Sequence, residues 1–207
     1  MVEPLKFEKI NLPKPNINPG VSLMTAMTNR KTQRDFIPNK PLTIQQISNV
    51  LWSAYGVNRP ELPKNHNRTV PSAVFVYPLE IYVVLEKGTF KYEPNEHVLI
   101  PMAEGNYSEK AGMQDFVKNA SMNLVIFYNP DIKCENSEMQ KHLDKSSDKN
   151  IIRAALDCGH CSQNVYLSCA AENLKCVTRG MCDGEFFKKL MKLNDKNQFL
   201  LSMSVGN

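Results

Sequence analysis

The sequence contains no glycine-rich phosphate loop, neither the dinucleotide pattern G-x-G-x-x-G nor the NTPase pattern G-x-x-x-x-G-K-[ST]. That absence excludes an ordinary Rossmann dehydrogenase, so any nicotinamide must bind without a Rossmann domain. No long Lys/Arg run or basic stripe accompanies the mild net charge of +4, which argues against nucleic acid as a partner. The longest apolar stretches, such as Met122 to Tyr128, are far too short to cross a bilayer, so no membrane association is expected. The opening residues, Met1-Val2-Glu3-Pro4-Leu5-Lys6-Phe7, carry no apolar h-region of a secretory signal. The cysteines are not spread as a disulfide framework would be. Cys134, Cys158, Cys161, Cys169, Cys176 and Cys182 crowd the last third, mostly in apolar helical context, and read as reduced thiols of a cytoplasmic protein.

With 207 residues, 42% hydrophobic and 22% charged, the chain can bury one sizeable core. Residues 1–20 carry Pro4, Pro13, Pro15 and Pro19 and are expected to form an extended arm lying on its own domain or on a partner. A short helix is expected from Val21 to Met27. Thr43 with Gln46 makes a capping box for a second helix, whose apolar positions Ile44, Ile47, Val50, Leu51 and Ala54 keep helical spacing until Gly56. A loop runs from Asn58 to Pro71. Leu79–Glu86 reads as a buried strand, Lys87-Gly88 as its turn and Thr89–Glu93 as the return strand.

Further along, a helix is expected around Lys110–Asn119, a second buried strand at Met122–Tyr128 and a charged surface excursion over 130–148. The longest helix is expected from about Lys149 to Glu172, ended by Asn173 in the left-handed conformation. A helix over Asp183–Met191 and a strand over Gln198–Val205 complete the chain. Strands interleaved with helices imply a layered α+β or α/β domain spanning 21–207.

Three segments could carry chemistry. Arg30, Lys31 and Arg34, with the Thr32 hydroxyl, place three cations and a neutral donor within five residues at a helix end. That set suits a phosphate, which needs charge neutralisation and fixed donors; it also suits a solvated basic helix end. Arg68-Thr69-Val70-Pro71-Ser72-Ala73 combines a rigid Pro with small residues before a strand, which lets backbone approach a flat ligand; a plain loop would read the same. Cys158-Gly159-His160-Cys161 has the disulfide-isomerase spacing. It lies inside a helical pattern, however, without the preceding strand of a thioredoxin motif. A zinc site is weaker still, because no second pair has ligand spacing. His66, His97 and His142 stand in polar loops, and nothing in the sequence pairs them with a Ser or Cys nucleophile.

Taken in order, these segments resemble the nitroreductase-like flavoprotein family, most closely the branch related to azoline-forming peptide dehydrogenases. The resemblance rests on Met27 to Phe36 with Pro41-Leu42, Leu51 to Arg59, Arg68 to Val84, Gly159 to Leu167, and Arg179-Gly180. It implies an α+β fold with a four- or five-stranded mixed, mostly antiparallel sheet flanked by helices. It further implies an interlocked homodimer holding two FMN at its interface. By that resemblance Arg30 and Thr32, with Lys31, hold the flavin phosphate and ribityl chain. Arg34 reaches the pyrimidine side, where a cation opposes the charge of the reduced ring. Pro71, Ser72 and Ala73 touch the flavin of the opposite subunit. Arg179 and Gly180 flank the edge that ends at N5, and Gln114 bonds the pyrimidine.

The implied activity is transfer of a hydride from NADH or NADPH, through flavin N5, to a small acceptor such as a nitroaromatic, quinone or enone. No protein residue is assigned as acid or base. The alternatives implied are a flavin-binding protein without turnover and an FMN-dependent azoline oxidase. Two departures stand out. Val74, Phe75 and Val76 replace the small residues usual after Pro-Ser-Ala, and many relatives continue past the position of Asn207 with a basic tail. The arm 1–20 is expected to embrace the partner in its place.

Overall fold

In a computed structural model of the protein, residues 5–18, 20–62, 67–134, 137–144 and 147–207 are described. Their elements follow from local chemistry. Helix α1 (Leu23–Asn29) is N-capped by Ser22, whose hydroxyl accepts the Thr25 amide. Helix α2 (Ile44–Tyr55) opens on the expected reciprocal capping box of Thr43 and Gln46. It ends at Gly56 for want of space rather than for a left-handed turn: a Cβ there would lie 2.3 Å from Trp52 Cδ1.

The sheet runs in the order β1 (Ile10–Asn11), β4 (Val98–Glu104), β3 (Gly88–Glu93), β2 (Leu79–Leu85), β5 (Met122–Tyr128), β7 (Gln198–Gly206) and β6 (Lys175–Arg179). It therefore has seven strands rather than four or five, and every pairing among the described residues is antiparallel. β2 and β5 are buried along their whole length at its centre. The β2–β3 turn is Glu86-Lys87, one residue earlier than expected, because Leu85 pairs with Gly88. Gly88 is needed there, since a Cβ would sit 2.5 Å from the Phe7 ring.

One face of the sheet carries α2 and the long helix α4 (Ser147–Ala171) over the main core. The other carries α5 (Gly184–Leu190) and a smaller core around Tyr82, Phe127 and Phe187. α3 (Ser137–Asp144) lies within the expected surface excursion. The helix expected over Lys110–Asn119 is instead two 3₁₀ turns, Ser108–Ala111 and Asp115–Asn119, broken at Gly112, where backbone packs against Val117 and Arg179. Asn173 does close α4 in the left-handed conformation (φ 55), and Leu174 N–H donates to Cys169 O as a Schellman cap requires.

The arm lies on its own domain. β1 pairs with β4, and Asn16 N–H donates to Asn49 Oδ1. Ser48 Oγ donates to Pro13 O at 2.6 Å, and His97 Nε2 lies 2.7 Å from that hydroxyl while its Nδ1 meets Tyr92 OH at 2.9 Å. His97 is thus paired with a serine, contrary to expectation. Ser48 is fully buried with its proton committed to the arm, so the pair is a structural tie. His66 lies outside the described residues, as does the His142 side chain.

Candidate functional site

The basic segment leaves α1 in extended conformation and runs beside the edge strand β6. Gln33 N–H donates to Cys176 O (3.0 Å) and Ile37 N–H to Asn207 O (2.9 Å). Lys175 grips the Asp35 carboxylate at 2.7 Å, which holds that carboxyl below its ordinary value. The Arg30 guanidinium stands over the Tyr166 ring, 5.4 Å from its centroid. The Tyr166 hydroxyl lies 3.1 Å from Thr32 Oγ1 and accepts the Thr178 amide at 3.0 Å. One α4 side chain therefore holds the segment against β6. Tyr166 was not singled out in the sequence, where an aromatic between Val165 and Cys169 looks like core. Among the described residues Arg30, Lys31 and Arg34 form no salt bridge.

Arg179 turns inward. Its guanidinium donates to Ser204 Oγ (2.6 Å), Ala111 O (3.0 Å) and Ser202 Oγ (3.3 Å), and lies over Phe116. These acceptors are neutral. Burial, with a smaller contribution from nearby Arg34, pulls the guanidinium down to about 10. Only the backbone of Arg179 can serve an outside ligand, and Gly180 beside it is exposed, with nothing within 4 Å of a Cβ built there. Gln114 borders the same region, two residues before Phe116, which touches both Phe36 and Arg179. Among the described residues Thr178 Oγ1 and Arg179 Nε are buried without a partner, on opposite faces of β6. Cations and open backbone fit a flat, anionic group such as FMN at this edge.

Pro71, Ser72 and Ala73 lie elsewhere. Ser72 Oγ accepts the Tyr77 amide at 2.9 Å and donates to Asp157 Oδ2 at 2.5 Å. Asp157 and Tyr166 are nine residues apart on α4, about 14 Å along its axis, so one chain does not bring the two groups together. The loop is strained after Ala73: Val74 (φ 48), Phe75 (φ 58) and Tyr77 (φ 50) are all left-handed. A β-branched residue there is a genuine outlier. Glycine would relieve the strain, so the departure at Val74 has a physical cost.

The Cys158 and Cys161 thiols are buried inside α4, and burial pushes both upward. They are inert packing groups, opposite to an activated dithiol. Among the described residues no three His, Cys, Asp or Glu side chains gather as metal ligands.

Fold and site define an antiparallel α+β protein with a suspended basic segment and open backbone at one edge of its sheet. The nitroreductase family model matches residues 27–207, and the chain belongs to that family. It is accordingly an oxidoreductase by class. Two relatives, each named a putative nitroreductase, cover nearly the whole chain. That of Methanocaldococcus jannaschii is 28% identical over 196 residues, 90% of this chain and 91% of the relative. The solved structure from Ralstonia eutropha is 30% identical, with a TM-score of 0.81 over 100% of this chain and 96% of that one.

More distant solved structures share the fold alone. The microcin synthetase McbBCD complex of E. coli has a TM-score of 0.67 at 20% identity, over 94% of this chain and 78% of that one. The NADPH:FMN oxidoreductase of Vibrio harveyi, complexed with NAD+, has 0.58 at 17%, over 89% and 68%. Among the described residues no helix is long and apolar enough to cross a membrane.

Proposed function

We propose that the protein is a homodimeric FMN-dependent oxidoreductase that takes electrons from NADH or NADPH and reduces a small oxidised acceptor of nitroaromatic, quinone or enone type. One observation carries the reading: a segment whose three cations form no salt bridge among the described residues is suspended on Tyr166 beside the open Arg179–Gly180 backbone. Arg30 and Thr32, with Lys31, would hold the phosphate and ribityl chain, and Arg34 would face the pyrimidine with Gln114. The Arg179–Gly180 backbone would face N5. When bound, FMN would supply the two-electron chemistry; the protein supplies position, charge and exclusion of water.

Pro71, Ser72 and Ala73 would meet the flavin of the opposite subunit, a role that needs a second copy because one chain separates them from Arg30. Exposed apolar side chains support such a copy: Leu23 and Met24 on α1 are 64% and 70% exposed, and Ile152 and Leu156 on α4 are 60% and 61%. Ile17, at the end of the arm, is equally exposed and available to the partner. Anaerobic mixing of the FMN-loaded protein with NADH and with NADPH tests the activity. Bleaching of the flavin by either donor is expected. Bound FMN that neither donor reduces would reassign the protein as a flavin carrier.

A further inference from the structure

Asp157 is a carboxylate that the preceding account leaves without a task. It is only 4% exposed in the middle of α4, and among the described residues its one side-chain hydrogen bond is the 2.5 Å contact with the Ser72 hydroxyl. A charge so placed is costly. Burial raises its carboxyl above the ordinary carboxylate value, against the opposing effects of Ser72 and His160.

The surroundings of Asp157 are mostly neutral. Tyr55 on α2, Tyr77 on the loop and the Cys158 and Cys161 thiols on α4 all feel its charge and are themselves pushed upward by burial. The nearby cations are engaged elsewhere. Arg68 stacks between Tyr55 and Tyr77 at 5.1 and 5.9 Å, and Arg153 donates to Asn150 Oδ1 at 2.7 Å. Lys133 lines the cleft described next.

Asp157 and Ser72 line that cleft together with Val76, Tyr128, Ile132 and Arg153. Tyr77 N–H fixes Ser72 Oγ from behind. His160, one turn further along α4, is exposed. Asp157 is therefore hydrogen-bonded to the Ser72 hydroxyl at the cleft and feels the charge of the exposed His160.

We propose that the cleft receives the oxygen of a carbonyl or nitro acceptor, and that Asp157, through the Ser72 hydroxyl, delivers the proton this oxygen needs as the acceptor is reduced. The inference rests on the proposed FMN dimer, because Ser72 meets a flavin only across the subunit interface. For a quinone the step balances as follows. A hydride from the reduced cofactor, carrying two electrons, forms one new bond to the quinone. With Asp157 protonated its contact with Ser72 reverses, the carboxyl donating to Ser72 Oγ and freeing the Ser72 proton. The Ser72 O–H breaks as its proton passes to the second oxygen, Ser72 takes the proton from the Asp157 carboxyl, and the carboxylate regains one from water. Quinone becomes hydroquinone and the cofactor is oxidised.

The test uses the FMN-loaded dimer, reduced anaerobically and reoxidised by benzoquinone or by ferricyanide, which accepts electrons without a proton. Asp157→Asn keeps an acceptor for Ser72 but carries no transferable proton. The ratio of quinone to ferricyanide reoxidation rates is expected to fall about a hundred-fold in this variant, the lower end for general acid catalysis. Ser72→Ala, which leaves the carboxyl intact, should lower the ratio similarly. The infrared C=O stretch missing from Asp157→Asn should show the wild-type carboxyl titrating above the ordinary carboxylate range. An unchanged ratio in either variant with FMN retained, or an Asp157 that titrates no higher than an ordinary carboxylate, overturns the proton path alone. Wild-type protein that takes up no FMN overturns the flavin reading and this inference with it.

Discussion

Removing one oxygen from Tyr166 should loosen the whole basic segment. In Tyr166→Phe the ring remains for Arg30 to stack on, but the Thr178 amide loses its acceptor and Thr32 Oγ1 its partner, bonds of 3.0 and 3.1 Å. β6 is the edge of the sheet, so no further strand can take up the Thr178 N–H. A half-buried amide left unpaired costs about 1–2 kcal/mol, and the exposed Thr32 contact adds at most a few tenths. At about 2–4 °C per kcal/mol for a chain of this size, Tm should fall by about 2–8 °C.

Thr32→Val should cost less on its own. The double variant should then show a coupling of about 0.5 kcal/mol, because the two hydroxyls share one contact. FMN affinity should fall together with stability, since the proposed phosphate ligands would no longer be held in place. Denaturant unfolding of the four proteins of the cycle, with FMN titration by fluorescence quenching, reads both quantities. A Tyr166→Phe protein with unchanged midpoint and unchanged FMN affinity would refute the role given to this residue.

Three further outcomes are expected. Arg30→Ala should weaken FMN binding by about ten- to hundred-fold, the loss of a charge-assisted hydrogen bond worth about 1.5–3 kcal/mol; Arg34→Ala should keep the flavin but slow its reduction by NAD(P)H in stopped flow. Native protein should show fast thiol labelling only at the half-buried Cys134 and Cys182, with Cys158, Cys161, Cys169 and Cys176 reacting on unfolding; rapid labelling of Cys158 would revive a dithiol reading. Because burial raises the Asp157 carboxyl in the folded state, folded protein binds that proton more tightly than unfolded protein. This stabilisation is present below the unfolded value and is lost as pH rises through the folded one. The stability of Asp157→Asn relative to wild type should therefore improve with rising pH, as urea midpoints across the acidic to neutral range would show.

What the sequence disclosed and what it hid have separate physical causes. The capping box of α2, the all-apolar strands β2 and β5 and the Asn173 cap are local signals, and each stands where local chemistry put it. β4 went unread because Ile100 and Met102 face outward and Pro101 interrupts it, so its pattern alternates only in the fold. β6, five residues long, gains its identity from pairing with β7 rather than from its own composition. The 3₁₀ turns near Gly112 were mistaken for a helix because apolar spacing says nothing of a glycine pressed against a buried arginine.

The candidate site divides in the same way. Arg30, Thr32 and Arg34 lie within five residues of sequence and could be read as a phosphate-seeking set. Tyr166 and Asp157 act through contacts across 134 and 85 residues of sequence, which no local pattern encodes. Arg179 was expected beside the flavin edge, and the fold turns its guanidinium away from any such ligand. Its side chain serves the interior, and only its backbone is left for a ligand.

The most direct test of the flavin reading is the visible spectrum and native mass of the purified protein, with mass identification of whatever is released on denaturation. The account predicts a dimer carrying one FMN per chain. A colourless protein that also fails to take up added FMN would contradict it.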